Sequence, residues 1–70
     1  MSHGVRYWIV FVEGINEQDQ QIFLALTYCG KQIVWEYLLE LIEEEYFLRN
    51  IKFNGYNQIS EQDFNEIKHQ

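Results

Sequence analysis

The chain has 70 residues, a formal net charge of −6 and one cysteine, and 17% of its residues are aromatic. These values fit one domain, exclude an internal disulfide or a multi-cysteine metal site, and argue against nucleic acid or an anionic membrane as partner, because both attract basic surfaces. The apolar runs are too short for a membrane span, so a cytoplasmic protein is predicted. Residues 1–4 lack the features of a signal peptide. They are interpreted as a disordered tail or tag remnant, before a single domain over residues 5–70.

The first predicted element is an antiparallel hairpin. Residues 5–12 are almost all β-branched or aromatic, which favours a strand, and both faces of that strand are apolar and need cover. The polar segment 14–21 begins with glycine and predicts an exposed connection. A second strand follows over residues 22–28. Cys29 at its end is interpreted as a small buried hydrophobe.

A helix is predicted after Gly30, from about residue 32 to residue 46 or 48, because apolar residues recur at helical spacing. Five of the chain's eleven acidic residues lie between Glu36 and Glu45, with no lysine or arginine among them. At 100° per residue, four of them share one narrow sector, which we call the acidic strip: Glu36, Glu40, Glu43 and Glu44. The opposite arc consists of Trp35, Leu38, Leu39, Ile42 and Tyr46. Phe47 would project into the acidic sector if the helix continued, so either the helix ends before it or its ring is exposed beside the carboxylates.

The remaining elements are a second hairpin and a last helix. Asn54-Gly55 is a strong signal for a two-residue turn, and it predicts that residues 50–53 pair with residues 56–59. Ser60 followed by Asp63 resembles a capping box at the start of a helix that turns Phe64 and Ile67 inward. The predicted fold class is α+β: an antiparallel sheet in the order β-β-α-β-β-α, with one main amphipathic helix packed on the sheet.

The predicted core combines the first hairpin with the main helix: Trp8, Ile9, Val10, Phe11, Leu24, Leu26, Leu38, Leu41 and Ile42. Trp8 and Trp35 are interpreted as packing residues rather than ligand-stacking groups. Tyr56, beside the predicted turn, is placed either to contact a partner or to pack across strands. If one helix covers one sheet face, an apolar patch stays exposed on the other face. A homodimer or an obligate partner is therefore expected.

The sequence offers little for catalysis or for a cofactor. A nucleophile near a histidine is the minimum for covalent chemistry, but Cys29 is assigned to a strand, and His3 and His69 lie at opposite ends. Carboxylates on a solvated helix face are a poor acid–base pair, and one side of one helix does not form a calcium or magnesium site. There is no glycine-rich phosphate loop. The sequence therefore predicts no enzyme, no cofactor and no metal.

Two interpretations of function follow from the acidic strip. In the first, the chain is a small acidic module that binds a protein with a basic surface, without binding nucleic acid itself. Its predicted binding residues are the acidic strip together with Phe47 and Tyr56. Carboxylates one helical turn apart are about 6 Å apart, comparable with neighbouring phosphates on one strand. This logic is similar to that of phage and mobile-element inhibitors of anti-restriction or anti-CRISPR type, which act in the host cytoplasm. In the alternative, the chain is an accessory subunit or homodimer whose strip serves solubility only.

Overall fold

A computed structural model describes residues 4–68, and it contains one sheet and two helices. The elements are β1 (Arg6–Ile15), β2 (Gln21–Gly30), α1 (Trp35–Glu45), β3 (Arg49–Ile59) and α2 (Glu61–Lys68). The strands are antiparallel in the order β2-β1-β3. The fold is therefore a small α+β domain with an antiparallel sheet, but the predicted β-β-α-β-β-α order is wrong. Of the predicted tail, residues 1–3 lie outside the described residues, and Gly4 is part of a turn.

The β1–β2 hairpin is longer than predicted. β1 continues to Ile15 and β2 begins at Gln21, so the connection shrinks to residues 16–20. Asn16 organises this loop, because its Oδ1 accepts hydrogen bonds from the backbone N–H groups of Gln18 and Gln20, both at 2.9 Å. Such Asx-type bonding is a general way for asparagine to close a turn.

Gly14 lies within β1 instead of opening the connection. Leu48 packs over it so closely that a Cβ at Gly14 would lie 2.9 Å from the Leu48 Cβ. The glycine is thus required for close approach between chain segments and does not mark a turn.

The predicted second hairpin is a single strand, β3, with two irregularities. Val12 pairs with Phe53 whereas Phe11 pairs with Gly55, so Asn54 is the extra residue of a β-bulge. A type I′ turn needs positive φ at both central residues, and here only Gly55, with φ 157°, has it. The second shift lies near Asn50, whose φ is 53°.

β1 explains why this segment stays extended. The edge of β1 that faces away from β2 offers backbone hydrogen-bonding groups along most of its length, and both halves of β3 pair with it. A separate hairpin would have left that edge of a central strand unpaired, and unpaired buried backbone groups are costly.

The core lies between α1 and one face of the sheet. Its buried residues are Val10, Val12, Leu38, Ile42 and Leu48. Leu24 and Leu26 are half-buried against it. The predicted places of Val10, Leu38 and Ile42 are thereby confirmed. Phe11 was wrongly assigned to the core: it lies on the other sheet face and is 40% exposed.

α1 is shorter than predicted at both ends. It begins at Trp35 after Val34, which provides no side-chain cap, and it ends at Glu45. The backbone N–H of Tyr46 still donates to the Ile42 carbonyl at 3.0 Å. Phe47 then has φ 55°, a left-handed conformation typical of the residue after a helix. That turn sends Leu48 back into the core.

α2 begins directly after Ser60 and turns Phe64 toward the sheet, as predicted. It covers part of the face opposite α1, which was not predicted from the sequence. The Ser60 Oγ accepts a hydrogen bond from the Asp63 backbone N–H at 3.0 Å, and the Phe64 ring lies 4.8 Å from the Tyr7 ring, measured between centroids. Partial burial, followed by the Glu61 carboxylate and Cys29, raises the pKa of Tyr7. Cys29 itself is exposed, so its interpretation as a buried residue is wrong. Neither helix of residues 4–68 is long and apolar enough to cross a membrane.

Candidate functional site

The outer face of α1 carries the acidic strip. Leu38 and Ile42 are buried on the sheet side of the helix, which directs the strip away from the sheet, and all four of its residues are exposed. Within residues 4–68 the one ion pair joins Arg49 to Asp19. The strip carboxylates therefore have no cationic side chain to neutralise them in the described part of the chain.

Helix stability does not account for the strip. Glu36 lies in the first turn of α1, where the helix dipole favours a carboxylate, but Glu43 and Glu44 lie near the C-terminal end, where it opposes one. The last turn holds no basic residue to compensate. Glu40 stands four residues from both Glu36 and Glu44, and like charges at that spacing repel. Most of the strip thus acts against the helix that carries it.

An aromatic cluster flanks the beginning of α1. The ring centroid of Trp35 lies 4.9 Å from that of Phe53 and 5.4 Å from that of Tyr56, both on β3. Trp8 lies 6.0 Å from Tyr56 and donates an Nε1–H hydrogen bond to the Gly30 carbonyl at 3.1 Å. These contacts match the packing role predicted for Trp8 and Trp35. Tyr56 packs across strands and still leaves 53% of its surface exposed.

Phe47 lies beyond the other end of the helix. It is 64% exposed and borders a shallow groove of about 200 Å³ that Tyr46 and the β1–β2 loop also line. Eleven residues of helix span about 16 Å. The structure thus brings the four strip residues together on one face of α1, with the partly exposed Tyr56 packed on the first residue of the helix and the exposed Phe47 following its last turn.

Sequence reasoning missed an apolar groove on the β2 side of α1. Its volume is about 530 Å³, and Tyr28, Tyr37 and Leu41 are among the residues that line it. The rings of Tyr28 and Tyr37 lie 6.2 Å apart, and Tyr37 is 56% exposed. The helical sequence places Tyr37 between the acidic strip and the buried arc, which was the available signal for a partly covered ring.

A small polar cluster occupies the sheet face that α1 does not cover. The half-buried Glu13 carboxylate accepts a hydrogen bond from Gln21 Nε2. Hydrogen bonding from Asn54, followed by that from Gln21, lowers the pKa of Glu13, and the nearby Lys52 adds to the effect. The bulge in β3 brings Asn54 to this position. Among residues 4–68, no three metal-ligating side chains of the His, Cys, Asp or Glu type come together.

Comparisons of the chain with protein-family models, with curated proteins and with solved structures found no match. The function is therefore inferred from the surface of α1 and the residues around it.

Proposed function

We propose that this protein binds another protein through the acidic strip, and that its target is the basic surface of a nucleic-acid-binding protein. The observation that carries the proposal is the set of four exposed carboxylates on one helix face, without ion pairs among the described residues. Their placement costs helix stability, so a role outside the helix accounts for them better. Binding to this face would exclude nucleic acid from the basic site.

The spacing of the strip suits such a target. Glu36, Glu40 and Glu44 follow one another at about 6 Å along the helix axis, a repeat comparable with that of phosphates on one strand. A net charge of −6 adds long-range attraction, which speeds association with a basic surface and weakens as salt rises. The protein would then compete with nucleic acid by offering similar charges in a folded body.

Exposed aromatic rings near the two ends of α1 would add affinity. Tyrosine and tryptophan are enriched among the residues that dominate interface energies. Tyr56 is held by Trp35 and Trp8, so little side-chain freedom would be lost on binding. Phe47 would contact the target at the opposite end. A phage or mobile-element inhibitor of anti-restriction or anti-CRISPR type, acting in a host cytoplasm, would have this combination of size, charge and rigid aromatic rings.

The alternative is an accessory subunit or homodimer in which the strip serves solubility. One observation favours it: α2 leaves part of the second sheet face open, where Phe11 is 40% and Phe23 is 67% exposed. In that case the partner would cover the sheet, and loss of the strip charges would leave binding unchanged.

A matched pair of variants separates the two functions. Glu36, Glu40 and Glu44 are replaced together by Gln, which preserves side-chain length and helix propensity. The control replaces Glu17, Glu61 and Glu66 by Gln and removes the same number of exposed charges elsewhere. Each variant is used to capture proteins from a source-like lysate at low and at high salt.

We expect the parent and the control to retain a basic, nucleic-acid-handling protein at low salt only, and the strip variant to lose it. Equal capture by the parent and both variants would contradict the proposal and favour the alternative. Circular dichroism of each variant checks that the fold is intact.

A further inference from the structure

The outer edge of β2 is open along ten residues. β2 lies at one side of the sheet, and within residues 4–68 no strand pairs with its outer edge. Alternate residues of an edge strand direct their N–H and C=O groups outward, ready to pair with another strand. β2, with the sequence QIFLALTYCG, contains no charged residue and no proline.

The opposite edge of the sheet is protected. β3 carries Arg49 and Lys52 and is interrupted by two irregularities, one at Asn54 and one near Asn50. Charged residues and bulges are the common devices by which proteins prevent pairing at an edge. The same sheet therefore has one edge with these devices and one without them.

We propose that β2 pairs with β2 of a second copy of this chain, antiparallel, about a two-fold axis at Ala25. The result is a continuous six-stranded sheet. A two-fold axis perpendicular to the sheet keeps equivalent faces together, so Leu24 of one copy lies opposite Leu26 of the other on the α1 side. On the open side, Phe23 lies opposite Thr27. Leucine then meets leucine on the α1 side, the large Phe23 meets the small Thr27 on the other side, and Ala25 allows close approach at the axis.

A second copy fits this edge for three reasons. Self-pairing matches two strands of equal length and register. The absence of charge in β2 allows two chains of net charge −6 to meet without like charges at the junction, and the strip points away from the sheet. The apolar groove beside β2 and the exposed rings of Phe23 and Tyr37 lie next to the junction and would be covered further.

This dimer goes beyond the proposed function and does not depend on it. Because the two-fold axis keeps both α1 helices on one side of the sheet, the dimer would present two acidic strips toward the same side. The strip variants leave β2 unchanged, so loss of strip binding and loss of the dimer are separate outcomes.

The test is sedimentation equilibrium over a concentration range. Ala25→Lys places two like charges opposite each other at the axis of the dimer. Ala25 is an exposed position of the monomer. The control, Asn57→Lys, adds the same charge at an exposed position on β3. The parent and the control should dimerise, and Ala25→Lys should raise the dimer dissociation constant at least about tenfold. Phe23→Lys, at another exposed site, should do the same.

Crosslinking checks the register. In a Cys29→Ser background, Ala25→Cys should give a disulfide-linked dimer on oxidation, because directly opposed residues of antiparallel strands have Cα atoms within disulfide range. A monomeric parent at every concentration would overturn the proposal. So would an unchanged dimer in both lysine variants, or a dimer that Ala25→Cys does not crosslink.

Discussion

Replacing Leu38 by alanine tests the orientation of α1, on which the position of the acidic strip depends. Leu38 is 1% exposed, between α1 and the sheet. Removing its outer carbon atoms forfeits about 2 kcal/mol of transfer free energy, and the cavity left behind brings the expected cost to about 2–5 kcal/mol. A chain of this size has a total stability of roughly 4–10 kcal/mol. The substitution should therefore remove a large part of it.

Leu39→Ala is the matched control, because Leu39 is the next residue on the same helix and is 38% exposed. Its loss should cost clearly less, since neighbouring residues and solvent already surround the side chain. Urea unfolding followed by tryptophan fluorescence measures both free energies of unfolding. If Leu39→Ala is as destabilising as Leu38→Ala, or if Leu38→Ala unfolds near the parent midpoint, the helix face is wrongly assigned and the strip does not face solvent as described.

Two further predictions concern the sheet. Gly14→Ala should destabilise the fold by about 1–3 kcal/mol, because the new Cβ would meet Leu48 at 2.9 Å; equal urea midpoints for parent and variant would contradict the close approach. Asn54→Ala should raise the pKa of Glu13 toward its ordinary value by removing the largest cause of its lowering, as measured by NMR titration of the side-chain carboxyl carbon. A lowered carboxyl pKa contributes stability above the unfolded pKa of about 4.3, and this stability is lost as pH falls through the folded pKa. The parent and Asn54→Ala should therefore differ in free energy of unfolding near neutral pH and converge in acid. An unchanged titration curve for Glu13 would show that Asn54 does not donate a hydrogen bond to it.

The parts of the fold that follow a local pattern were predictable. Period-3.6 spacing placed Leu38 and Ile42 on the buried side of α1 and the acidic strip on the other side. The capping signal at Ser60 correctly located the start of α2. In both cases residues close in sequence determine the local structure, so the element can be predicted without knowledge of the rest of the chain.

The predictions were wrong where contacts between segments distant in sequence determine the structure. Asn54-Gly55 is a strong local turn signal, but pairing of β3 with β1 outweighs it, and Asn54 forms a bulge instead of a turn. Gly14 resembled the start of a loop, yet it accommodates Leu48, which is more than thirty positions away in sequence. The exposure of Phe11 depends on how far α2 extends over the sheet. Composition and spacing do not encode these tertiary relationships.

The candidate site was predictable as a charged face but not as a whole surface. Helical spacing grouped the carboxylates, whereas the support of Tyr56 by Trp35 required the β3 register. The left-handed turn at Phe47 and the groove beside Tyr37 also depend on chain reversals that local sequence does not fix.

The most direct test of the acidic strip is whether it reduces the binding of nucleic acid to a partner protein captured from the lysate. The measurement is displacement of labelled nucleic acid from that partner at low and at high salt. The displacing proteins are the parent, the strip variant, in which Glu36, Glu40 and Glu44 are replaced by Gln, and the control, in which Glu17, Glu61 and Glu66 are replaced by Gln. We predict that parent and control displace nucleic acid at low salt, and that the strip variant is at least about tenfold weaker, with a flatter salt dependence. Equal displacement by all three proteins at both salt concentrations would contradict the assignment of the strip as the binding surface.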